Sequence, residues 1–157
     1  MTLVAGIPQL DDFAREAAAF CAWAEAPPGP LDEEVDTALR LVSQLYRLAL
    51  DLPDLFDEEC AADIPHEHWA AIHQRFGMLP LDYYGVCLDP ADLTDLTLGL
   101  GDVADDLADI WRDMKGGLAL YRKGNRAAAA WEWRNAFRTH WGQHATSVLH
   151  ALHCSRS

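Results

Sequence analysis

An all-α fold, an up-and-down bundle of four to five helices, follows from three features of this sequence. Leu31, Val35, Ala38, Leu39, Val42, Leu45, Tyr46 and Ala49 recur at three- and four-residue steps, the period of a helix with one buried face. Val103, Leu107, Ile110, Trp111, Met114, Leu118 and Tyr121 form a second stripe of the same kind. Lys123-Gly124-Asn125-Arg126 then offers a tight reversal, so residues 101–152 read as two long helices folded back on each other. The 157 residues, half of them hydrophobic, suffice for a single domain with its own core, expected over about 10–153.

The elements follow in order. Asp11 or Asp12 is suited to cap a first helix running to about Glu25, with Phe13, Ala17, Phe20, Cys21 and Ala24 at helical spacing. Pro27-Pro28-Gly29-Pro30 stops it, because proline lacks the amide donor and restricts the residue before it. Asp32, Glu33 and Glu34 open the second helix at the positive end of its dipole, and Pro53 ends it. The acid-rich stretch 54–63 reads as a solvated loop, and His66 to Phe76, between Pro65 and Gly77, as a short third helix. Tyr83 to Leu88 favours extended structure, but a lone strand has no partner, so an irregular linker is expected around 78–100.

In the fourth helix Asp102, Asp105 and Asp109 fall opposite the apolar stripe, while Asp106 and Asp113 sit at its edge. Lys115-Gly116-Gly117 inside it reads as a place of close helix packing or a kink. The fifth helix sets Trp133, Phe137, His140, His144 and Val148 on one face.

Charge divides the chain. Residues 1–114 hold 24 of the 25 acids and five of the 12 bases, whereas 115–157 hold Glu132 and seven bases. An acidic whole, −13 overall, argues against binding duplex nucleic acid or an anionic membrane, since its field repels phosphate. The basic tail is expected to pack against the acidic body, the sharper alternative being an acidic partner at Arg122, Lys123 and Arg126. Met1 to Pro8 lacks the basic and apolar regions of a secretory leader, and no window has the length of a membrane helix. Cys21, Cys60, Cys87 and Cys154 are scattered without a C-x-x-C pair, which points to a reducing, cytoplasmic setting.

Few motifs carry chemistry. His140 and His144 lie one helical turn apart, a spacing that lets two imidazoles reach one metal ion. The expectation is instead an inward pair, each ring hydrogen-bonded to a carboxylate or backbone carbonyl, with metal binding through His140 and His144 as an alternative. In an antiparallel hairpin Asp105 and Asp109 come level with the two histidines but face away, leaving Asp106 and Asp113 better placed. His66, His68 and His73 read as polar groups on a short exposed helix, and His150, His153 and Cys154 as a frayed terminal turn. Phosphate loops, nucleophile elbows and calcium loops are missing from the sequence.

Arg134-Asn135 followed by His140 resembles the Arg-x(4–6)-His signature of the HEPN superfamily of helical ribonucleases. That resemblance implies His140 as general acid–base at a ribose 2′-hydroxyl and Arg134 as the stabiliser of phosphate charge. The signature is short, and Arg138 to His144 matches it as well. A broader likeness runs through Val103-Ala104-Asp105-Asp106-Leu107-Ala108-Asp109-Ile110-Trp111-Arg112-Asp113-Met114, Trp131-x-Trp133-Arg134 and His140-Trp141-Gly142-x-His144-Ala145, with Phe20-x-x-Trp23 and Leu45-Tyr46 earlier. On these residues the chain resembles the bacterial family known as domain of unknown function 5063. The resemblance implies a cytoplasmic helical domain and brings no activity, cofactor or site with it.

The function expected from the sequence is a non-enzymatic interaction or accessory role without a cofactor. The partner is expected to be another protein, with a homodimer left open. It would be held on the basic aromatic face at Arg122, Arg126, Trp131, Arg134 and Arg138, because Trp and Arg anchor interfaces. A metal-independent ribonuclease using Arg134 and His140, and a metal-binding bundle using His140 and His144, are the alternatives.

Overall fold

The computed structural model describes residues 6–79 and 82–155. The amino-terminal residues 1–5 read above for a leader lie outside them, as do 80–81 and 156–157. The helices are α1 (Pro8–Glu25), α2 (Leu31–Ala49), α3 (His66–Phe76), α4 (Val103–Arg122), α5 (Arg126–Ala136) and α6 (Gly142–Ser155). Two strands, β1 (Tyr83–Cys87) and β2 (Leu98–Asp102), pair antiparallel between α3 and α4. The all-helical bundle expected from the sequence is what the chain forms. Part of the 78–100 linker is more regular than expected, because Tyr83 to Cys87 finds its partner in the glycine-bearing run just before α4. The first helix starts earlier than Asp11: Pro8 fits the first turn, where no amide is needed.

α4 is the central member. It packs against α1, α3, α5 and α6, while α2 closes the far side on α1 and α6. Asp102 caps it, its carboxylate accepting from the amides of Ala104 and Asp105 at 2.9 and 3.3 Å. Gly124, at φ +94°, supplies the left-handed residue that turns α4 into α5. Trp133 and Trp141 are fully buried with Phe13 between them, its ring centroid 4.9 and 6.0 Å from theirs. Each indole has a hydrogen-bond acceptor: Trp133 donates to the Met114 carbonyl at 3.3 Å, and Trp141 to that of Trp133 at 3.1 Å. Gly117 makes room for the first, since a Cβ there would stand 2.6 Å from Trp133 Cδ1 and nearer still to Nε1.

The last long helix is continuous but not uniform. Between α5 and α6 the chain makes one wide π turn, Phe137–Trp141, in which the Gly142 amide donates to the Phe137 carbonyl five residues back. Such turns insert one residue without ending the helix and are frequent at functional sites. Here the turn contains His140 and runs directly into α6, which carries His144.

The basic tail does pack on the acidic body. Lys115 pairs with Glu25 at 2.6 Å, Lys123 with Glu59, Arg126 with Asp11 at 2.7 Å and Arg134 with Asp54 at 2.7 Å. Among the described residues, no helix is long and apolar enough to cross a membrane.

Candidate metal centre

Three carboxylates of α4, Asp106, Asp109 and Asp113, recur at steps of three and four, which puts them within roughly 60° of arc on one helix face. Opposite stand His140 and His144, with ring centroids 4.8 Å apart. Each imidazole is held from behind by one carboxylate: His140 Nδ1 lies 2.6 Å from Asp113 Oδ2, and His144 Nδ1 2.6 Å from Asp106 Oδ1. Those contacts fix both ring orientations and leave the Nε2 atoms to point inward. Both then face the same oxygen, Asp109 Oδ2, at 3.6 Å from His140 Nε2 and 3.3 Å from His144 Nε2. The other oxygen of that carboxylate, Oδ1, accepts from Trp69 Nε1 and from the Arg112 guanidinium, each at 2.9 Å.

The supports reach into the rest of the fold. The Tyr84 hydroxyl donates to Asp106 Oδ2, so β1 orients the carboxylate that orients His144. Gly101 is what lets the Tyr84 ring lie there. A Cβ at that position would sit 2.7 Å from the Tyr84 oxygen and closer to the ring carbons. α3 contributes Trp69, which stacks between His66 and His73 with centroid distances of 5.5 and 5.1 Å. His73 itself lies 3.6 Å from Asp102.

Charge is concentrated and matched. Burial pushes Asp109 up, but the His140 and Trp69 hydrogen bonds, then the Arg112 charge, hold it below the ordinary carboxylate value. Asp109, then Asp113, raise His140 to about 10, against the desolvation of the ring. Two carboxylates facing its two nitrogens favour the imidazolium form of His140 at neutral pH. Asp105, beside this cluster, is pushed up by burial and by the negative charges of Asp109 and Asp102. A cleft of about 300 Å³ opens along the two histidines, lined among others by Tyr84, Asp102, Asp105, Thr139, Gln143 and Ser147.

The residues singled out in the sequence divide accordingly. His140 and His144 come together with carboxylates as expected, and Asp106 and Asp113 are the ones that hold their Nδ1 atoms. Asp109 does not face away. α3 covers its side of α4, and Trp69 and Arg112 turn the carboxylate toward the imidazoles. The basic aromatic face is largely engaged within the chain: Arg126 on Asp11, Arg134 on Asp54, and Trp131 edge-on to Phe56 at 5.1 Å. Arg122 and Arg138 are exposed. Arg134 and His140, paired in the ribonuclease resemblance, turn to different neighbours, Asp54 and Asp113.

Trp69, Tyr84 and Arg112 join this cluster without any expectation from the sequence, and Asp109, expected to face away, joins it as well. For Asp109 a signal existed in the D-x-x-D-x-x-x-D spacing set against H-x-x-x-H. Nothing in the spacing of the sequence connects Trp69 or Tyr84 to the cluster.

Comparison with known proteins gives a fold and a family. No curated protein matches the chain. A crystal structure of protein BF1032 from Bacteroides fragilis superposes with a TM-score of 0.76 at 22% identity, covering 95% of this chain and 92% of that one. At that identity the likeness concerns the fold. Residues 7–157, nearly the whole length, match the family described as domain of unknown function (DUF5063), and the chain belongs to it.

Proposed function

We propose that this domain binds one divalent transition-metal ion through His140 Nε2, His144 Nε2 and Asp109. The observation that carries the reading is the convergence of three ligand atoms, all within 4.8 Å of one another, from two facing helices. Ligands about 2.0–2.1 Å from a common ion stand roughly 3–3.5 Å apart, and the two nitrogen–oxygen separations of 3.3 and 3.6 Å come close to that. The ion would take the place of the proton between His140 Nε2 and Asp109, and a small inward movement of the rings would complete the shell.

The surroundings favour the same reading. Imidazoles that ligate metals donate their other nitrogen to a carboxylate or carbonyl, which fixes the tautomer and raises ligand basicity. Asp113 and Asp106 hold both Nδ1 atoms in that way. Two histidines and one carboxylate suit Zn²⁺ or Fe²⁺ and leave coordination positions open. The cleft beside Thr139, Gln143 and Ser147 gives a small molecule or water access to the histidine side. An ion there would act as a Lewis acid or as an anchor for an oxygen ligand.

Calorimetric titration of chelator-stripped protein with Zn²⁺, and anaerobically with Fe²⁺, tests the reading. One saturable site is expected. His144→Ala should weaken it by about 100-fold or more, a larger loss than supporting residues produce, while His150→Ala on the terminal turn leaves it unchanged. Equal binding by wild type and His144→Ala, or none by either, refutes a site at this cluster.

A further inference from the structure

A second feature of the fold is independent of the metal reading. Among the described residues the sheet consists of β1 and β2 alone, so β1 has one edge paired to β2 and one edge without a partner strand. The pairing tells which groups face outward. The Val103 amide donates to the Asp82 carbonyl at 3.0 Å, which makes 82 and 103 a hydrogen-bonded pair. Antiparallel ladders alternate, so Tyr84 with Gly101 and Val86 with Gly99 continue that set. The backbone N–H and C=O groups of Tyr83, Gly85 and Cys87 are therefore turned away from β2, toward the free edge.

That edge does not open onto bare solvent. It forms one wall of a groove of about 710 Å³ whose other wall is α6, through Thr146, Ser147, His150, Ala151 and Cys154. Around it the hairpin exposes large apolar side chains: Tyr83, Leu88, Leu93, Leu96, Leu98 and Leu100. An exposed strand edge beside exposed apolar side chains is a surface that proteins ordinarily blunt with lysine or proline. Within β1 neither occurs. The hairpin that borders the groove is one-sided in charge as well: residues 82–102 contain five Asp and no Lys or Arg.

We infer that the groove between β1 and α6 receives an extended segment of a partner protein, in which apolar residues alternate with Lys or Arg, as a third strand on β1. The free backbone groups supply the ladder. α6 and the hairpin leucines supply apolar contact to alternate side chains, and the aspartates of the hairpin meet the basic ones. A second copy of this chain fits less well, because its hairpin would bring the same negative rim to the contact. Four of its basic-tail residues, Lys115, Lys123, Arg126 and Arg134, are already paired within the chain.

A phage-displayed library of random dodecapeptides, panned on the full chain, tests this directly. Thr146→Trp serves for counter-selection: Thr146 is an exposed wall residue, so an indole there fills the groove without entering the core. Enriched sequences are expected to alternate apolar and basic residues and to lose about tenfold or more in affinity toward Thr146→Trp. N-methylation of every second amide should abolish binding in one phase of the alternation and spare it in the other, since a strand uses one edge at a time. Binding should also weaken as salt is raised. Absence of enrichment, enrichment of acidic or helix-patterned peptides, or equal tolerance of both methylation phases overturns the proposal. So does a dimer of the unliganded chain that Thr146→Trp dissociates, which would make the second copy the occupant.

Discussion

Gly101 and Tyr84 offer a test of how the hairpin is coupled to the bundle. A Cβ at 101 would lie 2.7 Å from the Tyr84 oxygen, so Gly101→Ala has to drive the phenol off its place over Asp106. The displaced atoms are the far end of one side chain on an exposed hairpin, so little backbone strain is added. The main loss is the hydrogen bond from a hydroxyl to a buried carboxylate. Bonds to charged groups contribute about 1.5–3 kcal/mol, and Asp106 keeps His144 as a donor. Tyr84→Phe should therefore cost about 1.5 kcal/mol. Gly101→Ala should cost about 2–3 kcal/mol, the same bond plus some lost ring packing. Because both changes remove one bond, the double variant should cost no more than Gly101→Ala alone, a coupling of about 1.5 kcal/mol. Urea unfolding with an unchanged slope measures all three. Additivity to within about 0.5 kcal/mol would mean that the two residues act separately and that β1 does not orient Asp106.

Two further outcomes are expected. Gly117→Ala puts a methyl 2.6 Å from Trp133 Cδ1, against an indole that is fully buried and hydrogen-bonded to Met114. The loss should reach about 3 kcal/mol in urea unfolding, and a change under about 0.5 kcal/mol would show that the α4–α5 contact is looser than described. His140, raised from 6.5 to about 10 by Asp109 and Asp113, stabilises the metal-free fold fully below its unfolded value. That contribution is lost as pH rises through the folded value. Because 37% of its side chain is exposed, solvent screening reduces the effect, and about 1–2 kcal/mol is expected. In chelator, the stability gap between wild type and His140→Gln should narrow by that amount from pH 6 to pH 10. A constant gap would mean that the ring is not held as an imidazolium.

Much of the bundle was legible because it is written in local periodicity. The stripe from Val103 to Tyr121, the break at Pro27 to Pro30 and the turn at Gly124 each depend on neighbours in sequence, and each took its expected form. The hairpin was harder to read. Tyr83 to Cys87 shows strand composition, whereas its partner Leu98-Gly99-Leu100-Gly101-Asp102 looks like a loop, since glycine weakens a strand by itself. Gly101 is there to leave room for the Tyr84 ring, a reason that lies 17 residues away in the chain.

The site was half legible for a related cause. Helical spacing put His140 with His144, and Asp106 and Asp113 near them. Asp109 reads as outward because it lies opposite the apolar stripe, which holds only if that side of α4 meets water. It meets α3 instead, and Trp69 converts an outward aspartate into a buried one with a fixed orientation. The basic face around Arg126 and Arg134 read as open for the opposite reason: its partners, Asp11 and Asp54, are more than 75 residues away in the chain.

Diffraction from crystals grown with Zn²⁺, collected on both sides of the zinc absorption edge, bears most directly on the metal reading. One strong anomalous peak is expected about 2.0–2.2 Å from His140 Nε2, His144 Nε2 and Asp109, with Asp113 and Asp106 still holding the two Nδ1 atoms. Crystals grown in saturating zinc whose anomalous map is empty between those three atoms, or whose peaks lie only on His150, His153 or other surface groups, would contradict it.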